Sequence, residues 1–229
     1  MESIAAALPQ NQGLLHDLLH LLSQPLTTVH CVLELSLTED EAERAGEVAV
    51  ALEQTDRVIE AVRLMSEYLE SEEGRFVGAP FPLGLAIENA LEQSSVLAEA
   101  RGLRLFACGA STAAVPVRSV WLQHALFYLI AMMVDSEPAG RAILVLLQDG
   151  VSQSFISGHS LPTASSFDQP SSRPLKSTWE ANTLRQVKLE IARHVFESSG
   201  ATLEFYSGSR PGFIIRLPRF CSHLSEIPV

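Results

Sequence analysis

The stretch His20-Leu21-Leu22-Ser23-Gln24-Pro25-Leu26-Thr27 sets an imidazole five residues ahead of a proline, inside a segment whose apolar spacing is otherwise helical. A neutral imidazole is a competent nucleophile, and an ordinary imidazole pKa of about 6.5 leaves much of it neutral at a pH of about 7.5. An interior proline removes a backbone hydrogen bond and costs about 3 kcal/mol. Pro25 cannot donate to the carbonyl of Leu21, so the helix is loosened next to His20. On an ideal helix His16, His20, Ser23, Thr27, His30 and Glu34 share one polar face. His16 lies one turn before His20 on that face, without the proline at the same offset.

Two helices must position these groups. Leu15, Leu18, Leu22, Leu26, Val29 and Leu33 recur at spacings of three and four and predict an amphipathic helix over 10–37. An acidic turn at 37–44 opens a second helix over 40–70. Its seam reads Val48, Ala51, Thr55, Val58, Val62, Met65 and Leu69, a coiled-coil rhythm. Two long helices joined by a short turn predict an antiparallel hairpin. Its wide apolar stripes predict a homodimer that closes a four-helix bundle.

Two glycines and two prolines at 72–82 end the helical pattern and read as a linker. Beyond them the pattern is mixed. Helices are predicted at 83–102, 120–134 and 183–198, and strands at 103–109, 141–149, 152–158, 202–208 and 212–218. Residues 159–180, rich in Ser and Pro, read as a loop. Helices interleaved with a largely antiparallel sheet give a two-layer α/β sandwich, so the fold class is α+β. The expected division is a loose terminus at 1–9, the hairpin at 10–72, the linker at 73–82, the α/β domain at 83–220 and a tail at 221–229.

At 229 residues, 47% hydrophobic and 19% charged, the chain can bury a core, unlike a disordered protein. A net charge of −11 opposes a nucleic-acid or anionic-membrane surface. No secretory signal or apolar span of membrane length is visible, so a cytoplasmic location is expected. Cys31, Cys108 and Cys221 fit no zinc spacing and no disulfide framework, and read as buried or inert thiols. The chain has no HExxH pair, and Gly158-His159-Ser160 is not a Gly-x-Ser-x-Gly elbow.

The element order resembles the core of a sensor histidine kinase, in which a dimerising histidine-phosphotransfer hairpin precedes a Bergerat-type ATP-binding domain. The resemblance spans roughly residues 10–220. The family's phosphoacceptor box runs His, acidic, Leu, polar, Thr/Asn/Gln, Pro, Leu, Thr. His20, Gln24, Pro25, Leu26 and Thr27 match it, while Leu21 replaces the acidic residue. The resemblance implies that His20 is the phosphoacceptor and that Gln24 orients water for dephosphorylating a regulator, although Gln24 reads equally as a solvated residue.

The family's nucleotide chemistry is missing from the second half. The helix at 121–140 resembles the one that carries the magnesium-chelating asparagine. Its two Asn positions hold Tyr128 and Met132, and its basic position holds Asp135. Magnesium requires small hard oxygens. The adenine-reading aspartate falls on Ile156. Gly158 is kept from that box and Ser160 replaces the second glycine. The later glycine box falls on Leu184-Arg185-Gln186-Val187-Lys188-Leu189, which has no glycine. Backbone N–H groups approach phosphates where glycines make room. No nucleotide, metal or other cofactor is therefore expected.

Three functions compete. The chain resembles small dimeric histidine phosphotransferases, which pass phosphoryl groups to and from the receiver domain of a response regulator without ATP. The alternative is an inactive pseudokinase scaffold that holds a regulator or kinase. An active histidine kinase ranks last, because Leu21 supplies no base. Docking of a regulator is expected on the apolar surface around Leu21 and Leu22.

Overall fold

The computed structural model describes residues 8–36, 41–74, 76–162, 179–206 and 212–218. The first seven residues of the expected loose terminus, the turn at 37–40, most of the expected loop (163–178), Cys221 and the tail lie outside the described residues. The chain divides into two compact units, Met1–Glu70 with Lys176–Lys188, and Ser71–Leu175 with Leu189–Val229.

The first unit holds α1 (Leu8–Ser36) and most of α2 (Glu41–Glu72). Among the α1 residues whose burial is described, Leu18, Leu21 and Pro25 are buried, again at spacings of three and four. Leu26 and Leu33, expected in that seam, are 53% and 50% exposed. On α2, Ala51, Ala61, Leu64 and Tyr68 are buried, whereas Val48, Val62 and Leu69 of the expected seam are exposed and Val58 is half-buried. Each helix carries two neighbouring apolar stripes, and periodicity alone does not say which one turns inward. The outer stripe runs Leu19, Leu22, Leu26, Val29, Leu33 on α1 and Val48, Leu52, Ile59, Val62, Leu69 on α2. Thr55 and Ser66 complete its alternation of four and three. Lys188, on the segment of the fifth helix that belongs to this unit, pairs with Glu60 of α2 at 3.1 Å.

In the second unit β1 (Val77–Pro82) precedes α3 (Leu83–Ala100), then β2 (Arg104–Gly109), β3 (Ala114–Val117), α4 (Ser119–Ser136), β4 (Arg141–Asp149) and β5 (Gln153–Pro162). After the undescribed segment come α5 (Trp179–Ser198, its second half in this unit), β6 (Thr202–Tyr206) and β7 (Gly212–Pro218). The main sheet has the order β2-β4-β5-β7-β6. β2 runs parallel to β4 and the other pairs are antiparallel. β1 and β3 form a separate two-stranded sheet, so the segment read as a linker contains a strand.

β4, β5 and β7 alternate between a buried and a half-buried face, as a sheet covered on one side must. Ile143, Val145, Leu147, Ile156, Phe213 and Ile215 form one core with α3, α4 and α5 residues such as Ile87, Leu126, Ile130, Val195 and Phe196. Cys31 and Cys108 are both exposed, contrary to the buried reading. Among the described residues no helix is long and apolar enough to cross a membrane.

Candidate functional site

α1 runs unbroken through Pro25, which is itself buried. Hydroxyls on both sides of the proline turn back onto the helix. Ser23 Oγ donates to the Leu19 carbonyl at 2.8 Å, Thr27 Oγ1 to Ser23 at 2.8 Å and Thr28 Oγ1 to Gln24 at 3.1 Å. Such bonds compete with the backbone ladder and bend a helix slightly. They and the missing Pro25 donor fall together in residues 19–28, beside His20.

His20 and Gln24 are both exposed and stand one turn apart, on one face. They line an open groove of about 590 Å³, with Ser23, Pro25, Thr27 and Thr28 from the same helix. Gln54 and Arg57 of α2 line it too, and Arg57 is the cation of that lining. Arg57 also holds Glu53 at 2.9 Å. His16 is exposed, but it does not line this groove. Arg57 and Gln54 were not singled out from sequence, because only knowledge of which α2 turn faces α1 reveals them. Leu21 is 2% exposed, so it offers no docking surface, which corrects that part of the expectation. An acid at position 21 would be buried here, which burial without a partner penalises.

The positions expected to have lost nucleotide chemistry are filled by packing. Tyr128 is 2% exposed in α4, with its ring centroid 6.1 Å from that of His124 and 5.8 Å from that of Phe127. Met132 is half-buried, and Ile156 is fully buried in the sheet core. Asp135, at the family's basic position, pairs with Arg101 at 2.8 Å. Gly158 is not a loop glycine. β5 continues past the expected end at 158 to Pro162, and Gly158 pairs with Val145 and Phe213. A Cβ there would meet Phe213 Cε1 at 2.4 Å and Met133 Sδ at 2.7 Å. Packing therefore demands this glycine. Gly158→Ala is expected to destabilise the chain by about 2 kcal/mol through overpacking, read as a lower urea midpoint at unchanged slope.

Residues 184–189 lie inside α5, beyond its first turn, and Val187 is fully buried. The N–H groups there are engaged within the helix and do not point at a ligand. Met132 and Ile156 offer no hard oxygen donor of the kind magnesium takes. No group of three or more His, Cys, Asp or Glu among the described residues could hold a metal ion.

No protein-family model matches the chain, and no curated protein matches its sequence. Solved structures do match in fold. The histidine kinase AdeS of Acinetobacter baumannii superposes with a TM-score of 0.61 at 14% identity, over 87% of this chain and 98% of that one. The histidine kinase ThkA, solved in complex with the response regulator protein TrrA, gives 0.65 at 13% identity, over 90% of this chain and 60% of that one. A histidine kinase from Burkholderia phymatum gives 0.50 at 14% identity, over 89% and 98%. The chain has the fold of a histidine kinase core.

Proposed function

We propose that the protein works in two-component signalling as a histidine phosphotransferase, exchanging phosphoryl groups with the receiver domain of a response regulator through His20, without ATP. The observation that carries this reading is the groove at His20. There an exposed imidazole shares its groove with Arg57, while Tyr128 and Ile156, at positions where the family binds nucleotide, are buried. ThkA was solved with a response regulator, and its fold likeness supports a partner of that kind.

In the transfer, a lone pair on an imidazole nitrogen attacks phosphorus. A P–N bond forms and the P–O bond to the receiver's aspartate breaks, returning a carboxylate. The receiver supplies its own metal and aspartates. Arg57 offers charge to the phosphoryl oxygens, and the amide of Gln24 orients water when the phosphoryl group is lost instead. The outer apolar stripe supports a homodimer in which two antiparallel hairpins form a four-helix bundle.

The test mixes labelled phospho-receiver with the protein. Label that moves to the protein in an acid-labile, alkali-stable form supports the transferase. A receiver that binds but keeps its label favours the pseudokinase scaffold. Arg57→Ala is expected to slow transfer about tenfold and Arg57→Lys to recover part of it, since a lysine keeps the charge without the bidentate geometry.

A further inference from the structure

The half-buried face of the main sheet carries a relay of three side chains that phosphotransfer at His20 does not use. Ser157 and His159 stand two apart on β5 and point to that face. Ser157 Oγ lies 2.8 Å from His159 Nε2. Tyr206 reaches them from β6 across the intervening strand, because it pairs with Gly212, which in turn pairs with His159. A Cβ on Gly212 would stand 2.3 Å from the Tyr206 hydroxyl and 2.1 Å from the Gly158 carbonyl oxygen. Glycine at 212 is what lets the phenol cross. The phenol oxygen lies 2.8 Å from the Gly158 carbonyl oxygen and 2.7 Å from His159 Nδ1.

Counting hydrogens assigns the proton positions. The Gly158 carbonyl can only accept, and Tyr206 has one hydrogen to give. The phenol therefore donates to Gly158 and accepts from His159 Nδ1–H. Nε2 is left with a lone pair, aimed at the Ser157 hydroxyl. Burial raises the Tyr206 pKa above its ordinary value, which keeps the phenol protonated for this role. The order is serine hydroxyl, imidazole, and a third group fixing the tautomer, the arrangement that activates a nucleophile. Leu146 and Ile214 flank Ser157 in register on the same face, an apolar setting suited to an uncharged acyl group.

We infer that Ser157 is an activated nucleophile that accepts an acyl group from a carboxylic ester, with His159 as its base and Tyr206 as the positioning residue. Ser157 Oγ attacks the ester carbonyl carbon and its proton passes to His159 Nε2. The ester C–O bond then breaks, and that proton follows the leaving oxygen.

The probe is p-nitrophenyl acetate with the full chain. About one equivalent of p-nitrophenolate is expected in a fast phase, with one acetyl group mapped to Ser157 by mass spectrometry. Ser157→Ala should abolish that acetylation, and His159→Gln should slow it at least about 100-fold, the contribution of a positioned base. Tyr206→Phe should slow it and shift its pH profile, a change that a purely structural phenol would not produce. His20→Gln should react as wild type does, which separates this site from the phosphotransfer groove. Equal thermal midpoints establish that the variants fold. An unmodified Ser157 in wild type, or equal rates of Ser157 acetylation in wild type and folded His159→Gln, would overturn the inference.

Discussion

Replacing His20 with Gln is expected to lower labelling by a phosphorylated receiver domain at least about 100-fold, because the amide has no nucleophilic lone pair on nitrogen. His16→Gln should stay within about twofold of wild type. Exposure does not separate the two histidines, since both reach solvent. Position does. His20 lines the groove with Gln24 and Arg57, and the stretch holding Ser23, Pro25, Thr27 and Thr28 begins beside it. His16 lies before that segment. The two variants differ from wild type by one exposed side chain each, so circular dichroism should not distinguish them. Loss of label in both would place the acceptor function on the face as a whole rather than on His20.

Ile59→Glu is expected to raise the dissociation constant of the homodimer at least about 100-fold, measured by sedimentation. Ile59 is 59% exposed in the single chain, at the centre of the outer α2 stripe. In a four-helix bundle it would be covered, and an uncompensated carboxylate in each of two copies costs several kcal/mol. Val58, the position favoured by the sequence pattern, is half-buried within its own chain. A charge there would disturb the protomer as well as the dimer, so Ile59 gives the cleaner result. Wild type that sediments as a monomer at micromolar concentration would contradict the bundle.

The α/β half was legible because its helices and strands follow simple rhythms. β4 and β7 begin and end where the β-branched and leucine-rich runs do, and α3 and α4 follow the apolar spacing. The misses have physical causes. β1 is hidden because Gly78, Pro80 and Pro82 resemble a linker, whereas pairing with β3 is enough to hold them extended. The sequence pattern ends β5 at Gly158 because Gly, His and Ser are weak strand formers. Pairing with β4 as far as Pro162, and with β7 as far as His159, overrides that preference. Leu21 looked like a surface position only because the neighbouring stripe through Leu22 and Leu26 fits the same periodicity.

His20 and Gln24 were visible in a local motif, whereas Arg57 and Gln54 needed the juxtaposition of two helices. The Ser157–His159–Tyr206 relay depends on a register across three strands and on an empty space at Gly212, neither of which is written in any short stretch of chain.

Phosphoryl groups are expected to reach His20 from a regulator and not from nucleotide. The direct measurement incubates the wild-type chain separately with labelled MgATP and with a labelled phospho-receiver, and follows acid-labile label on the protein. Label is expected from the receiver alone, on His20. Label on His20 from MgATP alone would contradict it and show that the chain admits a nucleotide despite Tyr128, Met132 and Ile156.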